Sequence, residues 1–146
     1  MRPFPALALT ASLLAASPVL AQGHSHDAAA KHEASAWKEM DTFHALLGAT
    51  FHPAEAKKDL KPLRAKADSL AAAARLWAAS TPPKACATAD IRTTVGELAT
   101  DALAIGNQVL QQATDADLMK SITALHTKFE VVEKKCGGHD MKGMKH

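Results

Sequence analysis

Four stripes of mainly apolar residues, each spaced alternately by three and four positions, constrain this chain more than any other feature. Trp37, Met40, His44, Leu47 and Phe51 form the first stripe. Leu60, Leu63, Ala67, Leu70, Ala74 and Trp77 form the second. Ile91, Val95, Leu98, Ala102, Ile105 and Val109 make the third, and Leu118, Ile122, Leu125, Phe129, Val132 and Cys136 the fourth. Each is the inner face of a long amphipathic helix. Four such faces of similar length bury one another most economically in an all-α, antiparallel up-down-up-down four-helix bundle. Composition agrees. Alanine and leucine are abundant, and there is no tyrosine and no alternating run of β-branched residues.

The punctuation between stripes predicts the helix ends. Gly48 to Lys58, with a glycine and Pro53, reads as the connection between helices one and two. Asp59 is a candidate cap, and Pro62 is tolerable in the first turn of helix two. Ser80-Thr81-Pro82-Pro83 ends that helix. Thr88 or Asp90 caps the third, and Thr114-Asp115 caps the fourth, with Asp117 in its first turn.

The bundle occupies residues 34–136. Before it, residues 1–21 have the form of an export signal: Arg2, the apolar run Ala6 to Ala16, and Val19-Leu20-Ala21 before Gln22. That run is too short for a permanent membrane anchor, so a periplasmic or secreted protein without a membrane partner is expected. Loss of Arg2 with the signal brings the net charge of +2 closer to zero, and lysines are spread along the chain. Nucleic acid is therefore not an expected partner. In an oxidising compartment Cys86 and Cys136 are expected to pair. The bridge tests the topology, because the link between helices two and three shares an end with the C-terminus of helix four only in the up-down arrangement.

Polar residues on the inner faces carry the functional reading. Met40 and His44 lie one turn apart on helix one, and His126 and Glu130 one turn apart on the antiparallel helix four. Counted from the end opposite the termini, His126 lies roughly a dozen residues in and Met40 and His44 roughly nine to thirteen, so at the helical rise they fall near one level. A thioether, two imidazoles and a carboxylate suit a transition metal, copper or zinc, with the thioether favouring Cu(I) or haem iron. His52 and Glu55, in the expected connection, are placed to supply outer ligands or to cover the site. Against this, a buried His is often a hydrogen-bonded core residue and Met an ordinary filler. His52 before Pro53 is equally readable as a helix end. The flanks, residues 22–33 with His24, His26 and His32, and residues 137–146 with His139, Met141, Met144 and His146, have no apolar stripe. They read as tails for weak, exchangeable metal binding or simply as solubilising segments.

The segments EMDTFHALL, AAAARLWAASTPPKAC and ALHTKFE resemble the exported four-helix cytochromes, the cytochrome b562 group and the related cytochrome c′ fold. The resemblance implies non-covalent haem b held by Met40 and His126, and an electron-carrier role with a redox partner. The chain departs from the c′ pattern in having only CGGH at Cys136 to His139, so covalent haem is not expected. It departs from the b562 pattern in placing His44 where haem would lie, which favours a small ion. No Ser-His-Asp or Cys-His arrangement and no phosphate loop points to an enzyme. The leading expectation is an exported metal-binding bundle, monomer or dimer, with a metal-transfer or redox partner. The alternatives are a haem b electron carrier and a non-catalytic structural or chaperone-like protein.

Overall fold

The computed structural model describes residues 35–136. The chain divides into two units, residues 1–31 and 32–146, and every described residue belongs to the second. The expected signal over 1–21 and the tails with His24, His26, His32, His139, Met141, Met144 and His146 lie outside the described residues.

Four helices pack as an all-α bundle: α1 (Lys38–Lys57), α2 (Lys61–Ala79), α3 (Ala89–Leu110) and α4 (Asp115–Cys136). Each helix packs on its chain neighbours, and α4 closes the ring against α1. Among the described residues there is no strand, and no helix is long and apolar enough to cross a membrane. The stripes of α2 and α4 are buried from end to end. That of α3 is buried through Ile105, leaving Val109 packed at the margin. Small residues Ala67, Ala71, Ala74, Ala102 and Gly106 are buried on α2 and α3. Rings fill the core toward the disulfide end: Phe43, Trp77 and Phe129 are fully buried with centroids 5.3 to 6.0 Å apart.

The caps follow local chemistry. Thr88 Oγ1 accepts from the Ile91 N–H at 3.3 Å, and Thr114 Oγ1 from the Asp117 N–H at 3.1 Å. Asp59 Oδ1 accepts from the Lys61 N–H at 3.0 Å, with Pro62 in the first turn of α2. Cys86, in a 3-10 turn at Lys84–Cys86, is disulfide-bonded to Cys136, with Cα atoms 5.7 Å apart. This is the pairing that up-down connectivity requires.

Helix one corrects the sequence reading. Gly48 to Lys58 is not a connection: α1 runs through Gly48 and Pro53 to Lys57. Pro53 removes one helical hydrogen bond, whose orphan carbonyl belongs to the exposed Ala49 and can be hydrated. The continued turns bury Thr50, Phe51 and Ala54, which offsets that loss. Thr50 makes its burial inexpensive by donating its hydroxyl to the Leu46 and Leu47 carbonyls at 3.0 and 2.9 Å. The helix stops at Lys58, whose left-handed backbone (φ 56°) lets its N–H reach the Ala54 carbonyl at 3.0 Å.

Candidate metal site on the α1–α4 seam

The register of α1 against α4 is set by two contacts. His44 Nδ1 lies 3.2 Å from Glu133 Oε1, and the Phe51 ring stacks on His126 with centroids 3.9 Å apart at 15°. Phe51, not His44, therefore stands at the level of His126. Met40 is about eleven residues further along α1, roughly 16 Å at the helical rise. The expected convergence of Met40, His44 and His126 does not occur. Counting levels from the helix ends assumes that the ends are flush, whereas these contacts put Lys57 near the level of Lys120, more than a turn into α4.

Each predicted residue now has a place. Met40 is a buried core side chain near the termini, packed in the cluster that contains Trp37 and Phe43. It and His126 are too far apart for one haem iron, so the pair expected from the cytochrome resemblance is not brought together. His44 is on the margin of the core, 21% exposed, with its ring against Phe129 at 4.6 Å. Phe43, one position earlier, takes the central place. Both fit a three-four spacing from Met40, and burying a phenyl ring carries none of the desolvation cost of an imidazole.

His52 and His126 do come together. His52 is an exposed residue of α1, and its ring lies back over Gly48. Its centroid is 6.1 Å from that of His126, in a T-shaped relation. With metal–nitrogen bonds of about 2 Å, two imidazoles sharing one tetrahedral ion hold their centroids about 5 Å apart. The observed spacing is about 1 Å wider, so the two rings would have to draw together on an ion. His126 is 18% exposed, and its Nδ1 faces Glu130 Oε1 at 3.5 Å. That carboxylate lies on the Nδ1 side of the ring, so Nε2 is the nitrogen that remains for an ion. Glu130 thus stands behind His126 rather than beside the ion, and its other oxygen meets Lys134 Nζ at 3.4 Å.

The surroundings of His126 favour its neutral form. Burial pushes its pKa below the ordinary value of 6.5, and nearby His52 pushes the same way. Glu130, Glu55 and Glu133 pull in the opposite direction without reversing the shift. A neutral imidazole has the lone pair that a metal needs. Glu55, three positions after His52 on exposed backbone of α1, is near enough to act on His126 through space.

The sequence reading missed two residues of this seam. Glu133 follows Glu130 by three positions and His126 by seven, so the helical spacing already put all three on one face. Phe51 had been read only as core, whereas it is also the plate against which His126 lies. Among the described residues no group of three or more His, Cys, Asp or Glu side chains is assembled to hold a metal ion. What the seam brings together is two imidazoles, with His52 on the exposed side. Compared with protein-family models, curated proteins and solved structures, the chain finds no match.

Proposed function

We propose that the protein is an exported four-helix bundle that binds a transition metal ion, copper or zinc, between His52 and His126. One observation carries this reading: two imidazoles from different helices stand 6.1 Å apart, one of them backed by a carboxylate on its Nδ1 side. Two protein ligands leave the remaining coordination positions to solvent or to a donor from elsewhere. That suits uptake and hand-over of an ion better than permanent structural holding, which uses four protein ligands. The disulfide fits an oxidising compartment and hence the export expected from residues 1–21. His24, His26 and His32, with His139, Met141, Met144 and His146, would collect the same ions weakly. On this reading the role is binding, with a metal-transfer partner outside the chain.

The test is a zinc titration followed through the imidazole resonances of the whole protein. His52 and His126 are expected to shift together and to saturate at one ion, while His44, held by Glu133, moves little. Glu130→Gln is expected to weaken zinc binding at His126, because it removes the charge behind Nδ1. If His126 stays unmoved while only tail histidines respond, the bundle has no metal site.

A further inference from the structure

Gly48 stands in the middle of α1, where glycine is the least favourable residue after proline. Two ordinary reasons for a glycine there are missing. Its backbone is right-handed helix, so no left-handed conformation requires it. Close packing of helices does not require it either, because a Cβ at Gly48 would meet no described atom of α4 within 4 Å. What that Cβ would meet is a single side chain, His52, whose Cδ2 and Nε2 would both lie 3.5 Å away.

Gly48 faces the seam. His44, four residues before it, touches Glu133, and Phe51, three residues after it, stacks on His126. Residues at these spacings share a face, so position 48 looks toward α4 between them. His52 lies about 40° further round the helix, toward solvent. Its side chain leans back over the preceding turn, as helical side chains do, and this carries the ring across Gly48. The imidazole thus reaches the seam through the space that a side chain at 48 would fill. There it stands 6.1 Å from His126.

We propose that Gly48 is a positioning residue for metal binding: by carrying no side chain it admits the His52 imidazole to the seam beside His126. The proposal rests on the reading of these two histidines as a joint site. The rings have to close by about 1 Å on an ion, and an unfilled position 48 leaves His52 free to make that movement. A methyl group there would touch the ring, and the branched carbons of a leucine would take its place.

Gly48→Ala and Gly48→Leu separate this role from a structural one, because both residues favour helix over glycine. Zinc-free Gly48→Ala is expected to unfold about 4 to 8 °C above the parent, so weaker zinc binding in it is not damage to the fold. Zinc affinity of the full chain, read from the His126 ring resonances, should fall roughly tenfold or more in Gly48→Leu, with Gly48→Ala between. In the zinc-free parent a nuclear Overhauser effect is expected between the Gly48 α protons and the His52 ring protons. Absence of that effect overturns the proposal. So does a zinc affinity unchanged across the parent and both variants, a result that leaves the two-histidine site standing. A parent whose His52 and His126 do not respond to zinc overturns that site and this role together.

Discussion

Removal of the Cys86–Cys136 bridge is the perturbation whose size follows most directly from the structure. The two residues are 50 positions apart, and the closed loop contains all of α3 and α4. In the chain-entropy model a loop of this length restricts the unfolded chain by about 14 cal/mol/K, or about 4 kcal/mol at 25 °C. The folded state contributes little to the difference, since both cysteines remain buried beside packed helices whether or not they are joined. For a domain of this size each kcal/mol moves the midpoint by about 4 to 8 °C, so a fall of roughly 15 to 30 °C is expected. Thermal unfolding followed by circular dichroism, on oxidised and reduced protein and on the Cys86→Ala/Cys136→Ala double variant, measures it. The reduced protein should still be helical at room temperature, because the ring cluster of Phe43, Trp77 and Phe129 is untouched. A loss below about 1 kcal/mol would refute the reasoning. It would mean that the unfolded chain already keeps the two ends close, or that unfolding is not one cooperative step.

Other predictions follow from single contacts. Because the folded pKa of His126 lies below 6.5, the unfolded chain takes up this proton first as the pH falls. Its contribution is complete above 6.5 and is lost as the pH drops toward the folded value. Metal-free protein should have a lower urea midpoint at about pH 5.5 than at about pH 7.5, and His126→Gln should flatten that difference. Thr50→Val should change stability by less than about 0.5 kcal/mol by urea unfolding, since the two carbonyls that lose its hydroxyl belong to the helix. Thr88→Ala should cost about 1 kcal/mol in the same assay by leaving the Ile91 N–H without its cap.

The chain shows in its residues why the fold was legible and the site only partly so. On α2 and α4 one apolar stripe has no rival, and periodicity alone identifies the buried face. The caps at Thr88 and Thr114 and the cysteine pair were readable because each depends on local chemistry or on simple topology. Helix one was harder for a physical reason. Pro53 signals an end, but the signal is a local cost of one hydrogen bond. Burial of Phe51 just before it and of Ala54 just after it outweighs that cost through contacts invisible in the local sequence.

The site was misread for a second reason. Levels counted from the helix ends assume that α1 and α4 finish flush, whereas Lys57 stands near the level of Lys120, more than a turn into α4. That assumption made Met40 and His44 look like partners of His126, and the break read at Gly48 sent His52 to a loop. Contacts between the helices, invisible in the local sequence, bring His52 beside His126 instead. The exchange of Phe43 and His44 had a different origin. Spacing from Met40 admits either position, and only the relative cost of burying each ring decides between them.

The joint binding of one ion by His52 and His126 is tested most directly by the zinc-induced rise in unfolding temperature. A ligand stabilises only through sites absent from the unfolded chain, so weak binding that the unfolded chain makes equally well adds little to this signal. The full chain is compared with His52→Ala, His126→Ala and the double variant. The account predicts a clear rise in the parent and none in any of the three variants, since either imidazole alone is insufficient. A rise that survives either single substitution, or a parent protein that zinc does not stabilise, would contradict it.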